Sequence, residues 1–121
     1  GDLRPVIKDI LGHDYAGLRI RYWRQDERTV WLLNEIGKEK PISFGIIIVN
    51  ERVEQVKVLA FRESRGGEIR HPAFTRQFDN IQLDDNQLNR HIDGVSGATL
   101  SVRAMTSVVT LALYLDQFTR Q

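Results

Sequence analysis

The sequence has no cysteine among its 121 residues. This absence excludes disulfides, thiolate zinc sites, iron–sulfur clusters and haem attached through Cys-x-x-Cys-His. It does not indicate a compartment, because a chain without cysteine is stable in oxidising and in reducing surroundings.

Long apolar runs and concentrated charge are also lacking. The longest apolar run, residues 46–49 with its neighbours, is far shorter than a membrane span. The net charge is +1 and the cationic residues are spread along the chain, so no nucleic-acid partner is expected. His13, His71 and His91 have no second ligand at zinc-like spacing, and we predict no metal site. No signal peptide precedes Asp2, so we expect any targeting or anchoring segment to lie outside this sequence.

A length of 121 residues predicts one domain, residues 1–121. Extended segments dominate the first half of this chain. Four stretches rich in β-branched and aromatic residues are separated by short polar joints, which is typical of a meander of antiparallel strands. Apolar and polar residues alternate in the first and fourth stretches. This pattern indicates that one face of the sheet is covered and that the other is partly exposed to solvent. The predicted strands are residues 18–24, 29–36, 42–49 and 53–62.

Helical patterns flank the sheet. Pro5 followed by apolar residues and then Gly12 predicts a short N-terminal helix, and residues 72–78 predict two turns of helix. Apolar residues recur at helical spacing from Leu100 to Phe118, which predicts a long C-terminal helix packed across the sheet. The predicted fold class is α+β, with one antiparallel sheet of about four strands and helices packed on it.

The most distinctive segment precedes the long helix. Ser96 stands where its hydroxyl can accept a hydrogen bond from the first turn, and Gly97 and Ala98 are small enough for a ligand to approach the backbone. Thr99 falls at the positive end of the helix dipole, where a phosphate is stabilised. The residues alone leave two interpretations open: a helix cap with small packing residues, or a phosphate site.

A resemblance to a known family bears on this choice. The segment Asp93, Gly94, Val95, Ser96, Gly97, Ala98, Thr99, Leu100, Ser101 resembles the flavinylation motif of the FMN-binding domain family. Members of that family include the C subunit of the sodium-translocating NADH:quinone reductase and the G subunit of the Rnf complex. The resemblance implies that FMN is joined covalently through its phosphate to Thr99, and that Asp93 either fixes the turn or serves recognition by the transferase.

The resemblance extends upstream and covers most of the chain, from about Pro5 to Phe118. A glycine-bearing loop follows the sheet, and a short helix ends in Gln77 and Phe78, as in the family. The loop departs from the family pattern at Arg65 and Gly67, which weakens any role carried over to it. The cofactor-binding residues implied are Asp93, Ser96, Gly97, Ala98, Thr99, Leu100 and Ser101, with Glu63, Ser64 and Gly66 in the loop.

The resemblance also implies a function. The chain would be an extracytoplasmic or periplasmic electron-transfer domain rather than a stand-alone enzyme, loaded by a separate FAD:protein FMN transferase and associated with a membrane redox chain through segments outside this sequence. The residues reveal no catalytic nucleophile with its base and no paired catalytic carboxylates, so no catalytic residue is assigned. The alternatives are a reductase that binds FMN without a covalent link and a docking domain without cofactor.

Several side chains have two interpretations. Tyr22, Trp23, Trp31 and Phe44 are expected in the core or in cross-strand pairs rather than stacked on a flavin. A second group of side chains lies either near the flavin or in solvent: Arg62, Arg65 and Arg103.

Overall fold

The computed structural model describes residues 3–15 and 20–120. The predicted meander is confirmed: four antiparallel strands pair in the order β1-β2-β3-β4. Their bounds are Arg21–Gln25, Arg28–Ile36, Pro41–Val49 and Arg52–Ala60. The first two residues of the predicted first strand lie outside the described residues.

The meander forms because tight turns join strands that alternate in polarity. Asn50 and Glu51 both adopt positive φ between β3 and β4, as the two central residues of a type I′ turn do. In β2 and β3 every second residue is buried, so these strands have one covered face, as predicted. Residues 54 and 59 form bulges in β4, where the register shifts against β3.

Three helices complete the fold: α1, Arg4–Leu11; α2, Pro72–Thr75; and α3, Thr99–Thr119. Helix α1 begins at Arg4, with the predicted Pro5 in its first turn, and ends at Leu11. Gly12 follows as its cap, with φ +85°, and donates its N–H to the Lys8 carbonyl. A 3-10 turn, Arg76–Phe78, continues α2. The predicted two turns of helix are therefore present as one α-helical turn followed by one 3-10 turn. Another 3-10 turn, Gly67–Arg70, follows the loop after β4.

Helix α3 packs across β2 and β3, and its buried side chains form the core together with the inner face of the sheet. Aliphatic side chains dominate this core because α3 and the two central strands present continuous apolar stripes to each other. Its largest fully buried members are Trp31, Phe44 and Phe78, all at most 2% exposed. The predictions of core positions for Trp31 and Phe44 are thus confirmed.

Of the two aromatic residues on β1, Trp23 contradicts the prediction and Tyr22 confirms it. Trp23 is 56% exposed, because β1 is an edge strand whose five residues are all exposed and Trp23 projects from the face opposite α3. Tyr22 is 43% exposed, but it stacks on Trp31 with ring centroids 4.4 Å apart. Tyr22 therefore makes the expected cross-strand pair without entering the core.

A small hairpin was not predicted. Strands β5, Leu83–Asp84, and β6, Gln87–Leu88, pair around Asp85 and Asn86, which both have positive φ. Aspartate and asparagine tolerate this left-handed conformation, so the dipeptide was the available signal. Among the described residues, no helix has the length and apolar character needed to cross a membrane.

A buried polar cluster fixes the end of α3 to β2. Asp116 is fully buried; its Oδ1 accepts a hydrogen bond from the Thr29 hydroxyl at 2.6 Å and its Oδ2 accepts one from Arg120 Nε at 2.9 Å. The Thr29 oxygen in turn accepts a bond from Trp31 Nε1 at 3.0 Å. These contacts satisfy the buried carboxylate and fix the orientation of α3 on the sheet.

Candidate functional site

The predicted motif lies at the N-terminal end of α3, preceded by residues 91–98, which form no helix or strand. Thr99 is the first helical residue, and its side chain is exposed together with that of Leu100. Ala98 and Ser101 are buried beneath it, at 3% and 4% exposure. The packing of Ala98 and Ser101 therefore leaves the Thr99 side chain open to solvent.

The capping role expected of Ser96 is wrong. The N-cap residue is Ala98, which has no side chain able to accept a hydrogen bond, and Ser96 lies two residues earlier in an exposed turn. That turn is closed by the Ala98 N–H, which donates to the Val95 carbonyl at 3.0 Å. Among the described residues no side-chain hydrogen bond caps this helix end, and N–H groups of the first turn stay available to an anion beside Thr99.

Two glycines shape the approach to this end of the helix. Gly66 has φ +91°, and a Cβ atom built there would lie 2.3 Å from the Ser101 hydroxyl oxygen, so only glycine brings the loop this close to α3. Gly97 has φ +82°, but a Cβ there would meet nothing within 4 Å. Space is therefore open in front of the motif on the Gly97 side.

A cleft of about 520 Å³ lies on that side. Its volume falls within the range of about 300 to 1,000 Å³ that ligand pockets occupy. All three predicted loop residues, Glu63, Ser64 and Gly66, line it together with Gly97. The structure thus brings the three loop residues and Gly97 to one cavity, whereas the other motif residues, Thr99 included, are not part of its lining.

Three residues of this cleft were missed by the sequence analysis: Phe61, Glu68 and Arg70. The guanidinium of Arg70 lies over the Phe61 ring, 5.2 Å from its centroid, and Arg70 Nε donates to the Gly67 carbonyl at 3.3 Å. Phe61 and Arg70 line the cleft beside Arg65, and Glu63 and Glu68 line it too. The cavity therefore has one aromatic, two cationic and two anionic side chains. No local pattern marks Phe61 and Arg70, because their contact arises from the fold of the loop between them.

Glu63 ties the loop to the β2–β3 turn. Its Oε1 accepts the Glu39 N–H at 2.7 Å and also accepts the Lys40 N–H. These two backbone hydrogen bonds hold the pKa of the Glu63 carboxyl below its usual range, and the bond from Glu39 has the larger effect. The carboxylate is therefore ionised at neutral pH and positions the cleft wall.

The remaining predicted residues have separate positions. The Asp93 carboxylate is 87% exposed and lies 3.8 Å from the His91 ring, which is itself exposed. Arg62 Nη1 donates to the Pro41 carbonyl at 2.8 Å, on the side of the sheet away from α3. The Arg103 guanidinium lies against Gly12, where a Cβ would be 3.1 Å from its Nη2. Neither Arg62 nor Arg103 lines the cleft.

The residues present fit a phosphorylated, planar ligand. The helix end can hold an anion, the exposed Thr99 hydroxyl stands beside it, and the cleft offers an aromatic ring and two guanidinium groups for a conjugated ring system. A protein with this α+β fold and this site is of a class that can hold a phosphorylated, planar cofactor.

Comparison with known proteins identifies the class more closely. The FMN-binding domain model matches residues 37–114, a range that contains the loop, the cleft and the motif. The chain belongs to the FMN-binding domain family, and flavin mononucleotide binding follows from that membership. Neither a curated protein nor a solved structure matches the chain.

Proposed function

We propose that this chain is an electron-transfer domain whose FMN is joined by a phosphodiester to the Thr99 hydroxyl oxygen. The observation that supports it best is the position of Thr99, which is exposed as the first residue of a helix whose end is capped by no side chain of the described residues. A phosphate on Thr99 Oγ would sit against N–H groups of that first turn and at the positive end of the helix dipole.

The chain's own residues would hold the cofactor in the cleft. N–H groups of the first turn of α3 would bind the phosphate, and Gly66 and Gly97 would leave room for the ribityl chain and the ring. The Phe61 ring and the guanidinium groups of Arg65 and Arg70 would line the isoalloxazine. The bound isoalloxazine supplies reversible electron transfer, and a tether suits a carrier that meets one partner after another.

Loading of Thr99 requires a second protein. We propose that a FAD:protein FMN transferase joins Thr99 Oγ to the phosphorus of the FMN half of FAD. The pyrophosphate bond then breaks, AMP leaves, and the hydroxyl proton is lost. The exposed Asp93 carboxylate would be recognised by this transferase. An extracytoplasmic location, association with a membrane and redox partner proteins are part of the same proposal and come from the family resemblance.

Intact mass after coexpression with the transferase tests the linkage. The denatured protein should gain the mass of FMN less one water, and fragments should carry the addition on Thr99. Thr99→Ala should gain nothing, whereas Ser96→Ala, which removes the exposed hydroxyl nearby, should be modified as the wild type is. Flavin that is released on denaturation would favour the non-covalent reductase instead, and a colourless chain would favour the cofactor-free docking domain.

A further inference from the structure

The face of the sheet opposite α3 has no element packed on it among the described residues. We call it the outer face. It is built from alternate residues of β1 to β4, which share one side of the sheet because they pair directly across the strands: Arg21, Trp23, Val30, Leu32, Ile47 and Lys57.

Apolar side chains project from this face at both edges of the sheet. Trp23 on β1 is 56% exposed and Leu59 on β4 is 53% exposed. Leu59 occupies a bulge and leans over Gly45, where a Cβ would meet its Cδ1 at 3.3 Å. Between these edges the half-buried Val30 and Ile47 continue the apolar surface. Contiguous exposed apolar surface of this kind marks a site of interaction.

Positive charge accompanies the apolar residues. Arg21 and Lys57 are exposed and form no ion pair with any described residue. Arg62, at the end of the same face, bonds to the Pro41 carbonyl and the Ser43 hydroxyl but to no carboxylate. Glu54 is already paired with Arg28 at 2.9 Å. The outer face is thus cationic although the whole chain carries a net charge of only +1.

From the positive charge and the exposed apolar side chains of the outer face, we infer that this face docks on the surface of a bilayer containing anionic phospholipid. Trp23 and Leu59 would lie at the level of the headgroups, where a tryptophan ring is favourable, and Arg21 and Lys57 would contact lipid phosphates. A second copy of the chain is a poor occupant, because two outer faces would bring like charges together.

The shape of the outer face favours a lipid surface over an acidic protein as its partner. Trp23 and Leu59 are exposed on opposite edge strands. In the described part of the chain, neither lines the cleft beside Gly97 or the cleft between α1, β1 and the end of α3. Exposed apolar side chains of such a surface insert among headgroups without a complementary pocket, whereas protein interfaces gain most of their affinity from side chains held in pockets. The inference goes beyond the proposed flavin linkage and does not depend on it, so protein without flavin is a valid sample.

Vesicle sedimentation tests the inference. The probes are phosphatidylcholine vesicles with and without about one third phosphatidylglycerol, at salt from about 0.05 to 0.5 M. The wild type should sediment only with the anionic vesicles and should dissociate as salt rises. Arg21→Glu with Lys57→Glu should weaken binding at least tenfold, because each reversal acts on a cation near the surface. The matched control is Lys8→Glu with Lys38→Glu, which changes the net charge equally on exposed residues away from the face.

Tryptophan fluorescence gives a second measurement. Trp31 is 2% exposed, so a blue shift on vesicle addition reports Trp23, and it should vanish in Trp23→Phe. Equal binding by the two double variants, or a wild type that does not sediment with anionic vesicles, would overturn the proposal and leave the face to an acidic protein. A variant that fails to fold would be recognised by circular dichroism, and Trp23→Ser then tests the apolar contribution by itself.

Discussion

The side-chain amide of Gln77 makes two hydrogen bonds to the backbone of Asp93. Its Nε2 donates to the Asp93 carbonyl at 3.1 Å, and its Oε1 accepts the Asp93 N–H at 2.7 Å. Arg90 holds Gln77 in turn, because its Nη1 donates to the Gln77 carbonyl at 2.7 Å. The start of the motif is therefore positioned by a side chain that lies 16 residues earlier in the sequence.

We expect Gln77→Leu to slow flavin loading while the protein stays folded. Both hydrogen bonds are lost, at about 0.5 to 1.5 kcal/mol each, and the loop before α3 becomes mobile. Gln77→Glu retains an acceptor for the Asp93 N–H, so its loading rate should lie between those of Gln77→Leu and the wild type. Mass spectrometry over a time course of coexpression measures the rates. Loading of Gln77→Leu at the wild-type rate would show that this contact does not position the motif.

We expect Gly66→Ala to destabilise the protein more than Gly97→Ala does. Both substitutions place alanine at positive φ, which costs about 1 to 2 kcal/mol. Only the Gly66 methyl group would also clash with the Ser101 hydroxyl. Urea unfolding of the two variants measures the difference, and Ser101→Ala in the Gly66→Ala background should recover part of it. An equal loss at both glycines would contradict the close approach of the loop to α3.

Stability should depend on the protonation of His13. Its Nδ1 faces the Asp14 carbonyl at 2.7 Å and its Nε2 faces the Glu35 carboxylate at 2.9 Å, so only the imidazolium satisfies both acceptors. These hydrogen bonds raise the pKa of His13, and the bond to the Asp14 carbonyl has the largest effect. Burial and the charge of Arg103 oppose the rise. The contribution to stability is therefore complete below about pH 6.5, the unfolded value, and is lost as pH rises through the higher folded pKa.

Urea unfolding at a series of pH values checks the His13 contribution. The difference in unfolding free energy between the wild type and His13→Gln should be largest at low pH and should shrink at alkaline pH. Glu35→Gln keeps the shape of the side chain but removes its charge, so it should reduce this pH-dependent difference. A difference that is constant across the series, or that grows with pH, would mean that the imidazolium is not the stabilising form.

Asp116→Ala should be among the more destabilising substitutions of an ionised residue. It removes the acceptor of the buried Thr29 hydroxyl and the partner of Arg120, and loss of one member of such a buried pair costs about 3 to 5 kcal/mol. Glu54→Ala breaks an exposed ion pair with Arg28 and should cost at most about 1 kcal/mol. Calorimetric melting of both variants makes the comparison, and similar melting temperatures would contradict a stabilising role for the buried cluster.

The elements of the fold could be predicted from the sequence because their signals are local. Apolar residues at every second position and turns of two to four mostly polar residues specify the meander, and the period of the last segment specifies α3. Alternation alone does not say which face is covered, however. Tyr22 and Trp23 are adjacent aromatic residues on opposite faces, and only the packing of α3 decides that Tyr22 meets Trp31 while Trp23 faces solvent.

The sequence by itself determined the motif, its place before a long helix, and the family that the comparison confirms. Tertiary structure alone decided how that site is built. The helix begins at Thr99 with Ala98 as its cap, rather than with the hydroxyl of Ser96, because the packing of Ala98 and Ser101 sets the first turn. Phe61, Arg70 and Gln77 join the site through contacts between segments distant in sequence, and no local propensity or spacing encodes such contacts.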